Sequence, residues 1–198
     1  MIRRPPRSTL DRSSAASDVY KRQGIDIGKA IQYRNENKGT LEGFKEATKI
    51  SNDELLKLEV DVLIPAALEN AITEKNVNSI KAKVIVEGAN GPTSHEADSI
   101  IEKNGIIAVP DILANAGGVI VSYFEWVQNR LGFKWTKSRV YRRSDSIIKQ
   151  SFNNVYSISK KYKVSLRTAA YIAAIDKVSR TYKYRDGSFT FQKNGQNT

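Results

Sequence analysis

Short runs of Val and Ile alternate with amphipathic stretches through the middle of the chain. Three runs predict strands: 60–64, 83–87 and 106–109. They are almost continuously apolar, which is typical of strands covered on both faces. The helices predicted between and after them are 74–81, 94–104 and 116–129. This order, with short connections, predicts an α/β fold: the last strands of a partial Rossmann-like, doubly wound parallel sheet, followed by C-terminal helices.

Four polar residues are placed to cap predicted helices: Asp26, Ser51, Thr73 and Thr93. Ser51 and Thr93 each have a Glu three residues later, which is the spacing of a capping box. The pattern after Trp135 is only helical. Ser165 is expected to cap a final helix in which small residues dominate, and this composition favours close packing on a neighbouring element.

The pattern divides the chain into four parts: 1–23, 24–130, 131–183 and 184–198. The first part has no periodicity and contains Pro5-Pro6, so we interpret it as a non-native or disordered leader. The second is expected to be the C-terminal portion of a nucleotide-binding domain, and the third a helical segment. The fourth is a polar tail.

Composition excludes several classes of protein. The chain has no Cys and one His, so neither a disulfide framework nor a zinc site is expected, and no metal is predicted. No apolar run approaches the roughly 18 residues that span a membrane.

The net charge of +11 is unevenly distributed. Residues 24–126 carry ten Lys/Arg against sixteen Asp/Glu, whereas 127–198 carry sixteen against three. A basic nucleic-acid-binding module is therefore one alternative. We favour a solvated helical face, because the cations are not interleaved with stacking aromatics in any recognised module.

Each predicted strand ends in small or polar residues. Pro65-Ala66-Ala67 follows the first strand, Gly88-Ala89-Asn90-Gly91 the second, and Asn115-Ala116-Gly117-Gly118 comes shortly after the third. Ligands of open α/β sheets bind outside the carboxyl ends of the strands. These residues therefore predict a crevice in which the backbone closely approaches a flat ligand.

Three motifs resemble the glutamate dehydrogenases of the Glu/Leu/Phe/Val dehydrogenase family: PAALEN (65–70), EGANGPT (87–93) and PDILANAGGVIVSYFEWVQN (110–129). The resemblance covers about 24–178. It implies reversible deamination of L-glutamate to 2-oxoglutarate and ammonium with NAD or NADP. It also implies a homo-oligomer, a hexamer by family, and a cytoplasmic location with a mitochondrial one as the alternative.

The resemblance also implies roles for individual residues. Ala66, Ala67, Asn90 and Asn115 would line the cofactor side of the crevice, and Val119 and Ser122 would contact the substrate. Asn suits the cofactor role because its amide both donates and accepts hydrogen bonds. The Ser122 hydroxyl would bind the distal carboxylate of glutamate.

These residues also have plainer interpretations. Asn90 could be a left-handed turn residue, and Asn115 a helix N-cap. Ser122 could bond its own helix backbone. Tyr123, Phe124 and Trp126 are expected to be core residues rather than a cofactor stack.

Two features of the family do not occur in these 198 residues. The chain contains no G-x-G-x-x-G phosphate-binding turn. The family's catalytic Lys and Asp are expected upstream, so no catalytic residue is assigned and the chain is expected to be an enzyme fragment, inactive alone.

Residues 136–143 are strongly basic where the family usually carries acidic residues. The main rival is a dehydrogenase for leucine, phenylalanine or valine, and the hydroxyl of Ser122 favours glutamate over these apolar substrates.

Overall fold

The structure, a computed structural model, describes residues 19–185. The chain divides into two compact units. Among the described residues, the first is formed by 19–60 together with Ser79–Lys81, and the second by Asp61–Asn78 and 82–185. Most of the predicted leader and the tail from residue 186 lie outside the described residues.

The first unit combines a two-stranded antiparallel ribbon with two helices. Its elements are β1 (Val19–Tyr20), α1 (Ile27–Glu36), β2 (Thr48–Lys49) and α2 (Asn52–Leu56). The predicted caps are confirmed: Asp26 accepts a hydrogen bond from the Lys29 N–H, and Ser51 and Glu54 form a capping box. The ribbon was not predicted, because two-residue strands leave no periodicity. Its first strand lies within the range assigned to the leader.

The second unit contains the predicted sheet. Its strands β3 (Val62–Leu63), β4 (Val84–Val86) and β5 (Ile107–Val109) are all parallel, in the order β3-β4-β5. The helix α3 (His95–Lys103) lies between β4 and β5 in sequence. Ile85 and Ile101 are fully buried, as the apolar runs indicate. The predicted α/β class and parallel arrangement are therefore confirmed.

The predicted helix over 74–81 is wrong. A single 3₁₀ turn, Val77–Ser79, occurs there. The Asn76 side chain closes a local turn instead: its Oδ1 accepts from the Thr73 N–H at 2.8 Å, and its Nδ2 donates to the Ala71 carbonyl at 2.9 Å. Asn, Val and Ser are weak helix formers, so side-chain bonding to the backbone prevails.

The cap of α3 is Ser94, one residue later than predicted. The Ser94 hydroxyl accepts from the Ala97 N–H, while the Thr93 hydroxyl is buried without a partner. Thr93 forms a parallel bridge with Ile72, which holds it in extended conformation. Because this bridge holds residue 93 in an extended conformation, α3 begins after it.

Four helices complete the second unit: α4 (Asp111–Ala114), α5 (Gly117–Leu131), α6 (Lys137–Tyr162) and α7 (Leu166–Arg185). The predicted helix over 116–129 corresponds to α5, whereas α4 was not predicted. Ser165 caps α7 through the Thr168 N–H, as expected. Ala169 and Ala170 pack with Leu113 and Val155 in a buried cluster, which confirms the close packing predicted from small residues.

No helix within residues 19–185 is long and apolar enough to cross a membrane.

Candidate functional site

The carboxyl ends of β3, β4 and β5 form one edge of the sheet. The N–H groups of Gly88 and Ala89 donate to the Pro65 carbonyl at 3.0 and 2.9 Å, and the Glu87 N–H donates to the Val109 carbonyl at 3.1 Å. These bonds hold the three strand ends side by side. We call residues 87–91 and 110–115 the loop wall of the predicted crevice, and residues 117–122, the start of α5, its helix wall.

The two predicted asparagines meet in the loop wall. The Asn115 Nδ2 donates to the Asn90 Oδ1 at 2.6 Å and to the Ala89 carbonyl at 3.3 Å. Among residues 19–185, this arrangement leaves the side-chain N–H groups of Asn90 and the side-chain oxygen of Asn115 for another molecule. Donors and an acceptor side by side complement a primary carboxamide or a sugar hydroxyl.

The plainer interpretations of both asparagines are wrong in this structure. The left-handed residue of the 87–91 loop is Gly91, with φ of +53°, and not Asn90. Asn115 is the C-cap of α4, and the N-cap of α5 is Ala116. Neither asparagine is therefore explained by turn or N-cap geometry.

Ala66 and Ala67 are exposed beside the loop wall. A Cβ added at Gly88 would lie 3.0 Å from the Ala66 Cβ, which is closer than nearly all real contacts. Glycine at 88 thus avoids a tight contact where the segment after β3 and the loop after β4 approach each other closely. The small side chains leave backbone accessible at this edge of the sheet.

The helix wall carries the two predicted substrate residues. Val119 is 69% exposed, and Ser122 is exposed as well. Within residues 19–185 the Ser122 hydroxyl has no hydrogen-bond partner, so the alternative interpretation, a bond to its own helix, is not found there. A Cβ at Gly118 would meet nothing within 4 Å. The helix wall is therefore open.

The aromatic cluster after Ser122 is only partly core. Phe124 is buried, as predicted, but Tyr123 and Trp126 are more than half exposed and stack at 5.9 Å. The core prediction is wrong for these two residues, because α5 turns them away from the buried face that Phe124 occupies.

A buried ionic network supports the loop wall and was not predicted. The fully buried Glu87 carboxylate accepts from the Arg167 Nη2 at 2.6 Å and from the Asp111 N–H at 2.9 Å. The Arg167 Nε donates to Asp98 at 2.9 Å, and its Nη1 lies 3.6 Å from an Asp111 oxygen. The sequence shows Glu87 as a charged residue directly after an apolar run. No sequence pattern indicates that its partner is an arginine 80 residues away.

The guanidinium of Arg167 is held in its charged form. Burial alone would lower its pKa, but hydrogen bonds to Glu87 and Asp98 and the charges of both carboxylates raise the pKa above the ordinary value. The network therefore keeps Arg167 a cation at all working pH values.

Basic and aromatic side chains do pair in the C-terminal helices. Arg139 and Arg143 lie 4.8 and 4.5 Å from the Trp135 ring centre. These contacts occupy ring faces that a stacking base would need, and the preference for a solvated helical face over a nucleic-acid-binding module stays a prediction. No group of three or more metal-ligating side chains suited to an ion occurs in the described part of the chain.

Comparison with known proteins supports the resemblance. A model of the Glutamate/Leucine/Phenylalanine/Valine dehydrogenase family matches residues 10–186. The chain is 49% identical to a glutamate dehydrogenase of Thermotoga maritima over 173 residues, which are 87% of this chain and 41% of that protein. It is 42% identical to a cryptic catabolic NAD-specific glutamate dehydrogenase of Bacillus subtilis, with 87% and 40% covered. The chain thus spans about two fifths of the length of these relatives.

Solved structures agree with this result. A glutamate dehydrogenase from Peptoniphilus asaccharolyticus superposes with a TM-score of 0.68 at 36% identity, covering 84% of this chain and 36% of that one. A hetero-hexameric glutamate dehydrogenase from Thermus thermophilus gives 0.78 at 24% identity, with 86% and 40% covered, and shows the shared fold. Because the family model matches most of its residues, the chain belongs to the Glutamate/Leucine/Phenylalanine/Valine dehydrogenase family.

Proposed function

We propose that this chain supplies the cofactor side of the active site of a glutamate dehydrogenase. The reaction converts L-glutamate, water and an oxidised nicotinamide cofactor to 2-oxoglutarate, ammonium, the reduced cofactor and a proton. The observation that carries the proposal is the Asn90–Asn115 pair at the carboxyl edge of the parallel sheet. Its remaining donors and acceptor point to a carboxamide or ribose partner.

The residues at this edge fit a nicotinamide cofactor. Ala66 and Ala67 are small and exposed, so a flat ring system can approach the backbone, and Asn90 and Asn115 can bind its amide and ribose. When bound, the cofactor accepts a hydride from the substrate. NAD is proposed rather than NADP, since the relatives from Bacillus subtilis and Clostridioides difficile are named NAD-specific.

The helix wall is proposed as the substrate side. Val119 and Ser122 lie three residues apart on α5 and share a face. An exposed hydroxyl without a partner can bind the distal carboxylate of glutamate, whereas an apolar substrate would leave it unused. A dehydrogenase for leucine, phenylalanine or valine is the alternative, and Ser122 is the residue that distinguishes the two.

No catalytic residue is assigned within the chain. In the proposal, the catalytic Lys and Asp come from family sequence that these 198 residues do not contain, so the chain alone is expected to be inactive. It would act within an oligomer, and a homo-hexamer is our proposal. A cytoplasmic location, with a mitochondrial alternative, stays a prediction.

A chimera tests this proposal. Residues 19–185 of this chain would replace the matched segment of the Thermotoga maritima enzyme, and NADH formation would be followed with glutamate, leucine, valine and phenylalanine. We expect turnover with glutamate and NAD, and little with the other amino acids. Sedimentation analysis would establish that the chimera assembles as the parent does.

The control is a second chimera carrying Asn90→Leu, which has similar size but no hydrogen-bonding groups. It should assemble normally and bind NAD much more weakly. An assembled chimera that prefers an apolar amino acid would favour the alternative. One that assembles but binds no cofactor would contradict the proposal altogether.

A further inference from the structure

We propose that Arg167 is a positioning residue that sets the geometry of the loop wall from outside it. The inference deepens the proposed function, because the loop wall carries both cofactor-side asparagines. Arg167 lies in the first turn of α7 and contacts neither Asn90 nor Asn115 directly. Its influence passes through Glu87 and Asp111.

The first link is the carboxylate of Glu87. It is fully buried, and its two oxygens are used separately: Oε1 accepts from the Arg167 Nη2, and Oε2 accepts from the Asp111 N–H. An isolated buried carboxylate is strongly unfavourable, so Glu87 can hold this position only while the guanidinium faces it. Glu87 thereby ties the end of β4 to the start of α4.

The second link is Asp111. Its Oδ2 accepts from the Gly91 N–H at 2.8 Å, while its Oδ1 lies 3.6 Å from the Arg167 Nη1. The two segments of the loop wall are thus joined at both ends of the 87–91 loop, once at Glu87 and once at Gly91. Asn90 lies between these two connections in sequence, and its Oδ1 accepts a hydrogen bond from the Asn115 Nδ2 on the other segment.

The third observation is the anchoring of Arg167 itself. The Ser165 hydroxyl caps the start of α7, and Asp98 on α3 binds the Nε of the guanidinium. The planar guanidinium group of arginine can donate to Glu87 and to Asp98 in two fixed directions. The single ammonium group of lysine cannot do this. The helical segment therefore fixes the spacing of the asparagines without touching a ligand.

Amide hydrogen exchange on the full chain tests this inference. In Arg167→Lys, the exchange rates of the Asp111 and Gly91 amides should rise by about tenfold or more, because their carboxylate acceptors lose their fixed positions. The amides of Val84 and Ile107, which donate to the Asp61 and Lys83 carbonyls inside the sheet, should keep their rates. Arg180→Lys, at an exposed pair with Asp176, is the matched control and should change neither set.

A second variant keeps the test decisive if Arg167→Lys does not fold. Glu87→Gln preserves size but turns one carboxylate oxygen into an amide N–H₂ group. Its remaining oxygen is expected to accept from Arg167, so the N–H₂ group faces the Asp111 N–H and that amide should exchange faster. Asp98→Asn should have a smaller effect, since it leaves the Glu87–Arg167 bond intact.

Cofactor binding adds an independent readout. NAD titrated against the chimera carrying the same substitutions should bind in the order wild type, Asp98→Asn, Arg167→Lys, with Arg180→Lys equal to wild type. A uniform rise of exchange at all amides, or no rise at Asp111 and Gly91, would overturn the positioning role. If the exchange pattern is as expected but the assembled chimera without these substitutions binds no NAD, the positioning of the loops stands and the proposed function of this chain fails.

Discussion

The two walls of the crevice differ in how far the chain satisfies their polar groups. In the loop wall, Glu87, Asp111 and Asn115 all bond to neighbouring segments. In the helix wall, Ser122 has no partner within residues 19–185, Val119 is exposed, and Gly118 faces open space. The loop wall is thus built by internal bonding, whereas the helix wall presents its groups outward.

This difference predicts which residues of the two walls affect folding when they are changed and which do not. A group with several internal partners should affect stability when changed, and a group without partners should affect binding alone. Gly88 and Gly118 show the same contrast between residues of one type, since only Gly88 is packed against a neighbour. The following predictions test the contrast, from the largest expected effect to the smallest.

Removing the cation of the loop wall should have the largest effect. Arg167→Leu leaves the buried Glu87 carboxylate uncompensated, which typically costs about 3–5 kcal/mol of the free energy of unfolding. Urea denaturation of the chain would measure this loss. Arg180→Leu removes an exposed arginine of the same helix and should cost less than about 1 kcal/mol; equal losses would contradict the role assigned to burial.

Gly88→Ala should be the next most damaging change. The new methyl would press on Ala66, and overpacking of this kind typically costs about 1–3 kcal/mol. Thermal unfolding would report the loss, and the double variant Gly88→Ala/Ala66→Gly should recover much of it by removing the opposing Cβ. Failure of the double variant to recover would mean that position 88 needs glycine for a reason other than this contact.

Ser122→Ala should separate activity from stability. In the glutamate-active chimera we expect kcat/KM for glutamate to fall by about tenfold or more, since a hydrogen bond to a charged group contributes roughly 1.5–3 kcal/mol. Norvaline, an apolar amino acid of similar length, should lose much less. The unfolding midpoint should not fall, since alanine is a better helix former than serine, and equal kinetic losses for both substrates would mean that Ser122 only supports the helix.

Gly118→Ala should have the smallest effect, and the opposite sign on stability. Alanine in a helix is favoured over glycine by roughly 0.5–1 kcal/mol, and the structure leaves room for its methyl. The variant should therefore unfold at slightly higher urea concentration. A destabilised variant would indicate that Gly118 is packed after all, and would weaken the contrast with Gly88.

The sequence predicts the sheet well because its signals are local. The Val and Ile runs locate β3, β4 and β5, and Asp26 and Ser51 cap helices through neighbours three residues away. The errors occur where a distant or competing bond decides the structure. Thr93 loses its capping role to a bridge with Ile72, and the helix over 74–81 gives way to a turn closed by Asn76.

The candidate site shows the same limit. Asn90 and Asn115 could be placed together because the ends of parallel strands meet at one edge. Arg167 could not, because it approaches Glu87 from a helix whose docking depends on packing across the whole unit. Ligand roles for the six site residues remain predictions that rest on the family resemblance.

The separation of Glu87 and Arg167 has a consequence for the order of folding. During synthesis the carboxylate leaves the ribosome 80 residues before its cation. At roughly 5–20 residues per second, this interval is on the order of ten seconds. Until α7 is made and docked, Glu87 has no guanidinium partner and is more stable in water than in the interior. The β strands can pair during that time, but the crevice reaches its final form only as α7 arrives.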